Sequence, residues 1–421
     1  MNLSVKFGIL SITLIWAAVG WSYPLDGYPY TGILRLEGFR LAQQGKVRGI
    51  KVPMGARLNS DQVDLRLRDR QDFTIPPIDP DFTDAVQAYL GEDANNYALA
   101  VLDLSDPDNP KYAEHNGAQR SNVGSVGKLL VALAVFQALA DIYPDDIERR
   151  LDILRSSLIT ADEFIQSDHH NVPLWNLGGA QISYRPIRIG ERASLWTYLD
   201  WMLSASSNAA ASVVIKELML LSHFRNQYPA DEARSRDVFR RTSKEELKAL
   251  LFRALLDPIT RNGLNLDNLR QGSFFTWKGK QLVPGTTSYA TPRELMRLLL
   301  KMEQGKLVDD FSSREIKRLI YMTQGRIRYA SAPALYDAAV YFKSGSLYKC
   351  KPEPDFKCGK YEGNVVNRLA SVAIVESPAS DRRYQYMVVV MSNVLRKNSA
   401  VAHQTLATRI HRLIEKQHKP Q

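Results

Sequence analysis

The chain has 421 residues, of which 45% are hydrophobic and 24% charged, so it can bury a substantial core and is not expected to be disordered. Lysine and arginine number 55 against 45 acidic residues, a formal net charge of +10. These positive charges are scattered without a run of five or six, and no nucleic-acid or nucleotide-binding motif occurs, so neither nucleic acid nor a nucleotide is predicted as a partner.

The N-terminus carries the three-part pattern of a secretory signal. Lys6 gives a basic start, residues 7–19 are almost wholly apolar, and small residues follow at 18–20. We therefore predict a signal peptide over residues 1–22 and an exported chain, periplasmic or secreted. The alternative is an uncleaved N-terminal anchor, although the apolar run is short for a membrane span. No stable membrane span is predicted after cleavage.

Residues 23–80 are predicted to be an N-terminal extension of unknown role, with one helix over 34–44. The segment closes with TIPPIDPD, a Pro- and Asp-rich sequence typical of a linker. The extension either wraps the main domain or meets a partner, and wrapping is the default expectation. The main domain is predicted over residues 81–421.

The elements of the main domain follow in chain order. Apolar runs and periodicity predict strands over 97–104, 111–114, 339–342, 369–375 and 384–392, and helices over 125–140, 146–158, 194–203, 209–221, 291–302 and 400–414. The charged stretch 225–251 is predicted to be a solvated helical insertion. This order predicts an α/β (α+β) fold, in which a sheet formed from both chain ends is flanked by helices and an all-helical subdomain is inserted between.

Three short motifs occur in this frame. Ser125-Val-Gly-Lys128 begins the apolar helix, Ser206-Ser-Asn208 lies in a turn between two helices, and Lys343-Ser-Gly345 is placed at the end of a strand. Singly each is weak: the first could be an ordinary helix start, the second a helix cap and the third a strand end. Together, in this order and these contexts, they are far more specific.

The first motif suits nucleophilic catalysis. A serine hydroxyl needs a base beside it, and residues three apart lie on one face of a helix, so the Lys128 amine can approach Ser125. A buried apolar helix disfavours the charged form of Lys128. The helix N-terminus under Ser125 favours negative charge, as on a tetrahedral oxyanion.

With these motifs the chain resembles the class A β-lactamases and penicillin-binding proteins. The resemblance covers roughly residue 97 to the C-terminus and includes WMLSASSNAAASVVI, TTSYATPRELMRLLL and VYFKSGSL. It implies a β-lactamase/transpeptidase-like fold with an antiparallel sheet.

The resemblance also implies residue roles. Ser125 is acylated, Lys128 takes its proton, Ser206 relays a proton to the leaving nitrogen, and Lys343 supports Ser206 electrostatically. The implied substrate-binding residues are Asn208, Ser344, Gly345, Ser346 and Arg368. Of these, Asn208 binds the substrate amide, Ser344 attracts the substrate carboxylate, and the Ser346 N–H joins that of Ser125 in an oxyanion hole. For Arg368 an ordinary surface arginine is the stronger alternative.

One feature of the class A β-lactamases is missing. Their deacylating glutamate lies in an E-x-x-L-N pattern, which does not occur here between Asn208 and Thr291. Fast β-lactam hydrolysis is therefore in question, whereas acylation is not. Three functions stay open: a β-lactamase-like serine hydrolase, a D-alanyl-D-alanine carboxypeptidase-type cell-wall peptidase acting on peptidoglycan stem peptides, and a penicillin-binding sensor or scaffold that acylates without turnover.

The remaining polar residues add little. No metal site and no cofactor are predicted, and His169-His170, which lack a metal-binding context, are expected to be surface histidines. Cys350 and Cys358 are close in sequence and suggest a disulfide in an oxidising compartment. The alternative is two free thiols.

Overall fold

A computed structural model of the chain describes residues 25–49, 51–323 and 326–419. The predicted signal peptide, residues 1–22, lies outside the described residues. Within them, the apolar helical stretch Gly124–Ile142 alone is long and apolar enough to cross a membrane, but most of it is buried in the protein. It is therefore the central core helix rather than a membrane anchor.

A five-stranded antiparallel sheet organises the described chain, in the order β2-β1-β11-β10-β9. Its outer members come from opposite chain ends, as predicted. The strands are β1 (Tyr97–Asp103), β2 (Lys111–His115), β3 (Leu158–Thr160), β4 (Val172–Leu174), β5 (Ser183–Arg185), β6 (Arg192–Ser194), β7 (Leu269–Arg270), β8 (Tyr289–Ala290), β9 (Ala339–Lys349), β10 (Val366–Ser377) and β11 (Tyr384–Asn393). Strands β3 to β8 form three separate two-stranded pairs.

Helices cover both faces of this sheet. They are α1 (Tyr28–Thr31), α2 (Leu34–Gln43), α3 (Pro80–Gln87), α4 (Lys128–Ile142), α5 (Ile147–Ser156), α6 (Leu195–Leu203), α7 (Asn208–Phe224), α8 (Glu232–Arg241), α9 (Lys244–Arg261), α10 (Trp277–Leu282), α11 (Pro292–Glu303), α12 (Asp310–Leu319) and α13 (Ser399–Gln417). Those from α4 to α10 form the inserted helical lobe, and α3 and α13 lie on the opposite face of the sheet.

The strands are apolar on both sides because each face meets a different core. Along β1, Ala98 and Ala100 join the core shared with the helical lobe, whereas Leu99 and Val101 join the core shared with α3 and α13. Alternate side chains of a strand point to opposite faces. A sheet covered on both sides therefore shows the continuous apolar runs that identified β1 and β11 in the sequence.

Two of the three sequence motifs lie in local structure that differs from the prediction. Ser125 does not begin the α-helix, but lies in a 3₁₀ turn, Gly124–Gly127, that leads into α4. The Lys128 N–H bonds to the Ser125 carbonyl, which tightens this turn. Lys343-Ser-Gly345 does not end its strand, because β9 stays paired with β10 as far as Lys349.

The charged stretch at 225–251 is only partly solvated. Helix α8 exposes most of its charged residues, as predicted. By contrast, α9 buries Leu247, Leu251 and Leu255 in the core of the helical lobe. Its capping box, Ser243 with Glu246, fixes where the helix begins.

The N-terminal segment wraps the main domain. In α2, Leu36 and Phe39 are buried in the shared core, and the buried Arg35 forms an ion pair with Asp200 of α6. Further along, the Tyr321 hydroxyl accepts a hydrogen bond from the Leu58 N–H at 3.0 Å. These buried contacts make residues 25–80 part of the main-domain core.

Candidate active site

The three motifs line one cleft of about 350 Å³ between β9 and the helical lobe. Ser125 enters it from the turn before α4, residues 203–206 and Asn208 from the turn between α6 and α7, and residues 342–346 and Tyr348 from β9. The other residues that line the cleft are His170, Met322, Ile327, Arg328, Lys360 and Tyr361. The three motifs are far apart in the sequence, but the fold brings them together in one cleft.

Lys128 is fully buried beneath the cleft, and its amine has three oxygen neighbours. Lys128 Nζ lies 2.9 Å from Ser125 Oγ, 2.6 Å from the Ser206 carbonyl oxygen and 2.8 Å from Asn208 Oδ1. The last two oxygens can only accept hydrogen bonds. A neutral amine has two N–H groups for these acceptors and one lone pair, which is then directed at the Ser125 hydroxyl.

The surroundings of Lys128 favour this neutral form. Burial lowers the pKa of Lys128 to about 7, although the Asp168 carboxylate acts in the opposite direction. The face of the Phe275 ring, whose centroid is 4.8 Å from Nζ, also acts in the opposite direction, because it attracts a cation. At neutral pH a substantial fraction of Lys128 can therefore accept a proton from Ser125.

Ser206 lies between the two lysines of the cleft. Its carbonyl accepts from Lys128, and its hydroxyl accepts from Lys343 Nζ at 2.9 Å. Ser206 adopts φ +59°, a left-handed conformation that is costly for a non-glycine residue and often occurs at functional sites. Burial, followed by the nearby charges of Lys128 and Arg328, holds the pKa of Lys343 well below its usual range. This arrangement allows protons to move along Lys343, Ser206 and the substrate.

Comparison with known proteins places this geometry in a family. The profile of the beta-lactamase enzyme family matches residues 81–414. The chain belongs to the beta-lactamase enzyme family. No curated protein sequence matches significantly.

Solved structures show the same fold at low sequence identity. A beta-lactamase from Sphaerobacter thermophilus is 14% identical with a TM-score of 0.51, over 80% of this chain and 99% of that one. A beta-lactamase from Xanthomonas campestris is 14% identical with a TM-score of 0.51, over 79% and 98%. PBP-A is 15% identical with a TM-score of 0.49, over 82% and 100%. At these identities the likeness to the two beta-lactamases shows the fold alone.

In this beta-lactamase-family chain, Gly345 lets β9 lie directly against the segment that carries Ser125. A Cβ atom at position 345 would lie 1.9 Å from the Val123 carbonyl oxygen and 2.5 Å from the Ser125 nitrogen. Only glycine allows this approach. It brings the Ser346 N–H beside the Ser125 turn, as an oxyanion hole formed by these two N–H groups requires.

We expect Gly345→Ala to slow acylation by about 100-fold or more, since displaced β9 would misplace an oxyanion donor. The second-order rate constant for adduct formation with benzylpenicillin measures this effect. Leu347→Ala is the matched control, because Leu347 is exposed on the same strand and should leave the rate within about twofold of wild type. An equally fast Gly345→Ala protein would contradict the proposed role of this contact.

Arg328 is a cleft residue that the sequence did not reveal. Its guanidinium donates to Ser344 Oγ at 2.7 Å, Ser346 Oγ at 3.1 Å and the Tyr361 hydroxyl at 2.9 Å. Burial would raise the pKa of Tyr361, but Arg328 and Lys360 outweigh burial and lower it. This end of the cleft therefore suits an anionic group.

Arg368, implied by the resemblance as a substrate-binding residue although an ordinary surface arginine was the stronger alternative, lies elsewhere on the sheet. It is paired in register with Leu347 and Asn393 and is not among the described residues that line the cleft. Arg328 arrives from a turn 15 residues before Lys343, and no local pattern marks it. A carboxylate role is better supported for Arg328 than for Arg368.

His170 is exposed, as expected for a surface histidine, but it also lines the cleft. Its Nδ1 lies 2.6 Å from Asp168 Oδ1. Asp168 Oδ2 in turn accepts from Ser207 Oγ at 2.9 Å and from the Ala209 N–H at 2.8 Å. No sequence pattern connects Asp168 and His170 with the second motif, because about 40 residues separate them.

Two other features help to define the site. Cys350 and Cys358 form the predicted disulfide, which closes the loop after β9 beside the cleft.

A larger cavity of about 540 Å³ lies between the N-terminal segment and the helical lobe. The described residues of its wall include neither lysine nor histidine, and the carboxylate of Glu191 in this wall is paired with Arg185. In the described part of the chain, no cluster of His, Cys, Asp and Glu could hold a metal ion.

Proposed function

We propose that this chain is an exported serine hydrolase that forms an acyl-enzyme through Ser125 on β-lactams or related amides. The observation that carries the proposal is the contact of buried Lys128 with Ser125 Oγ at 2.9 Å while two obligate acceptors occupy its N–H groups. A serine with a neutral amine at this distance has the base that acyl transfer requires. The family match and the cleft support the same chemistry.

The proposed acylation proceeds in balanced steps. Lys128 takes the Ser125 proton as Oγ attacks the substrate carbonyl carbon, and the N–H groups of Ser125 and Ser346 hold the oxyanion. Collapse breaks the carbon–nitrogen bond, and Ser206 gives its proton to the leaving nitrogen while protonated Lys343, 2.9 Å from Ser206 Oγ, replaces that proton. The proton from Ser125 stays on Lys128. Asn208 positions the amide side chain of the substrate.

The substrate is proposed to carry a carboxylate. Arg328 and Lys360 line the cleft with Ser344 and Tyr361, and no carboxylate occurs among the described residues that line it. Positive charge without a competing acid favours an anionic ligand. β-Lactams and the C-termini of cell-wall stem peptides both satisfy this requirement.

A second candidate function is a D-alanyl-D-alanine carboxypeptidase-type cell-wall peptidase. It is favoured by the lack of an acidic side chain among the described residues of the cleft wall, since class A β-lactamases hydrolyse their acyl-enzyme through a glutamate. Glu217, the nearest glutamate after the second motif, instead accepts a hydrogen bond from buried Tyr228 at 2.9 Å. A sensor or scaffold that keeps its acyl group is the third candidate.

Intact mass spectrometry with benzylpenicillin tests the proposal. An adduct that forms and clears would support a hydrolase, whereas a persistent adduct would favour a slow peptidase or a sensor. Release of D-alanine from a peptide ending in D-Ala-D-Ala separates these last two. Failure to form any adduct would contradict β-lactam recognition.

The acylation rate is expected to rise as the pH increases through about 7. Lys128 can accept a proton only when neutral, and burial lowers its pKa to about 7, so the active form increases above this pH. Lys343 and Asp168 also influence this amine. Acylation rate constants measured from pH 5 to 9 check the midpoint, with circular dichroism as the control for folding. A flat profile would contradict Lys128 as the base.

A further inference from the structure

Hydrolysis of an acyl-enzyme requires a base for water as well as a nucleophile. Among the described residues that line the cleft, no carboxylate is available for this step. His170 lines the same cleft as Ser125, Ser204 and Ser206. An imidazole is the most common general base in enzymes at neutral pH.

The Asp168 carboxylate fixes the orientation of this imidazole. Its Oδ1 accepts from His170 Nδ1 at 2.6 Å, and its side chain is only 3% exposed. A carboxylate partner keeps the proton on Nδ1 and leaves the Nε2 lone pair free to accept one. Within the described residues, Nε2 of His170 has no hydrogen-bond partner.

Asp168 is itself anchored to the second motif. Ser207 and the Ala209 N–H both donate to its Oδ2. Burial would raise the pKa of Asp168, but hydrogen bonds from His170 and Ala209 outweigh burial and lower it to about 2. Where related enzymes have S-D-N, this chain has Ser207 in the middle position. Asp168 thus supplies a carboxylate at this turn from an earlier part of the chain.

We propose that His170 is the general base that activates water for hydrolysis of the Ser125 acyl-enzyme, with Asp168 as its positioning residue. This inference rests on the proposed acylation of Ser125. His170 Nε2 takes a proton from water as the water oxygen bonds to the acyl carbon. The tetrahedral intermediate then breaks its bond to Ser125 Oγ, the proton passes to that oxygen, and the carboxylic acid product leaves.

Formation and loss of the benzylpenicillin adduct, followed separately by intact mass, test this assignment. His170→Ala is expected to acylate within about twofold of wild type but to lose the adduct at least about 100-fold more slowly. Added imidazole should restore part of the lost rate, because the position is exposed. His169→Ala is the matched control and should behave as wild type, since His169 is exposed and outside the cleft lining.

If Asp168 positions His170, a substitution at Asp168 should slow hydrolysis of the acyl-enzyme more than it slows acylation of Ser125. Asp168→Asn retains an oxygen that can accept hydrogen bonds from Ser207 and Ala209. The rate constant for adduct formation should therefore fall less than the rate constant for adduct loss. Equal slowing of both steps would indicate structural support only and would overturn this role.

The other outcomes separate the two proposals. A His170→Ala adduct that clears at the wild-type rate, or a wild-type adduct that never clears, overturns the inference and leaves the acylation of Ser125 intact. The absence of any wild-type adduct overturns both.

Discussion

Ser125→Ala is expected to abolish covalent labelling by benzylpenicillin. Removal of a catalytic serine costs on the order of 10⁶-fold in turnover in a well-studied serine hydrolase, which here would place the variant below detection. The reason is specific to this cleft: Ser125 is the serine whose Oγ lies against the buried Lys128 amine. Intact mass after incubation with the penicillin measures the effect.

Ser346→Ala is the matched control for this variant. Ser346 also lines the cleft, and its hydroxyl accepts from Arg328 at 3.1 Å. Its proposed role in the oxyanion hole uses only the backbone N–H, which alanine retains. Labelling should therefore persist, slowed by no more than about 100-fold for one lost hydrogen bond to a charged group. A labelled Ser125→Ala protein would refute the assignment of the nucleophile.

Lys317→Met is expected to lower the free energy of unfolding by about 3–5 kcal/mol. Lys317 is fully buried, and its Nζ lies 2.6 Å from Glu303 Oε1 and 2.8 Å from Glu376 Oε1. Removal of this ammonium leaves two buried carboxylates close together, with Arg66 as the main remaining positive charge. When one partner of a buried ion cluster is removed, the opposite charges that remain are buried without a partner, which destabilises the fold.

The pKa shifts of the two glutamates agree with a stabilising role for the positive charge of Lys317. Burial raises the pKa of Glu303, whereas Lys317 and Arg66 outweigh burial at Glu376 and lower its pKa. Denaturant unfolding measures the loss, and the exposed Lys416→Met variant is the control, with an expected change below about 0.5 kcal/mol. A loss below 1 kcal/mol in Lys317→Met would contradict the role of this cluster.

This cluster also shows what holds the N-terminal segment in place. Lys317 donates to the Asp64 carbonyl at 2.7 Å, and Arg66 bonds to Glu376 of β10. The sequence identified an extension but could not assign these partners, which lie more than 200 residues away. Sequence periodicity indicates which face of a helix or strand is apolar. It does not indicate which charged residue, distant in sequence, that element contacts in the folded chain.

Much of the fold could be predicted because its signals are local. The apolar runs of β1, β10 and β11 and the all-round apolar α4 were recognised within a few residues of their observed ends. The order of elements then sufficed to predict one sheet from both chain ends. Helix α12 was missed because its charged surface hides an amphipathic pattern, although it buries Ile316 and Leu319.

Only the site residues that belong to short sequence motifs could be predicted. Ser125, Ser206, Asn208 and residues 343–346 line the cleft together, with Lys128 buried beneath them. Arg328 and His170 were missed as cleft residues, because their positions depend on how turns pack in the folded chain. The strained φ of Ser206 and the close approach at Gly345 also arise only when separate elements meet.

The most direct test of the central claim is to identify the residue that carries the penicillin. Benzylpenicillin-treated protein, quenched early and digested, can be mapped by tandem mass spectrometry. We predict that the acyl group lies on Ser125, within the peptide that contains Ser125-Val-Gly-Lys128. An adduct on another residue of the cleft, such as Ser206 or Ser346, would contradict the proposed mechanism.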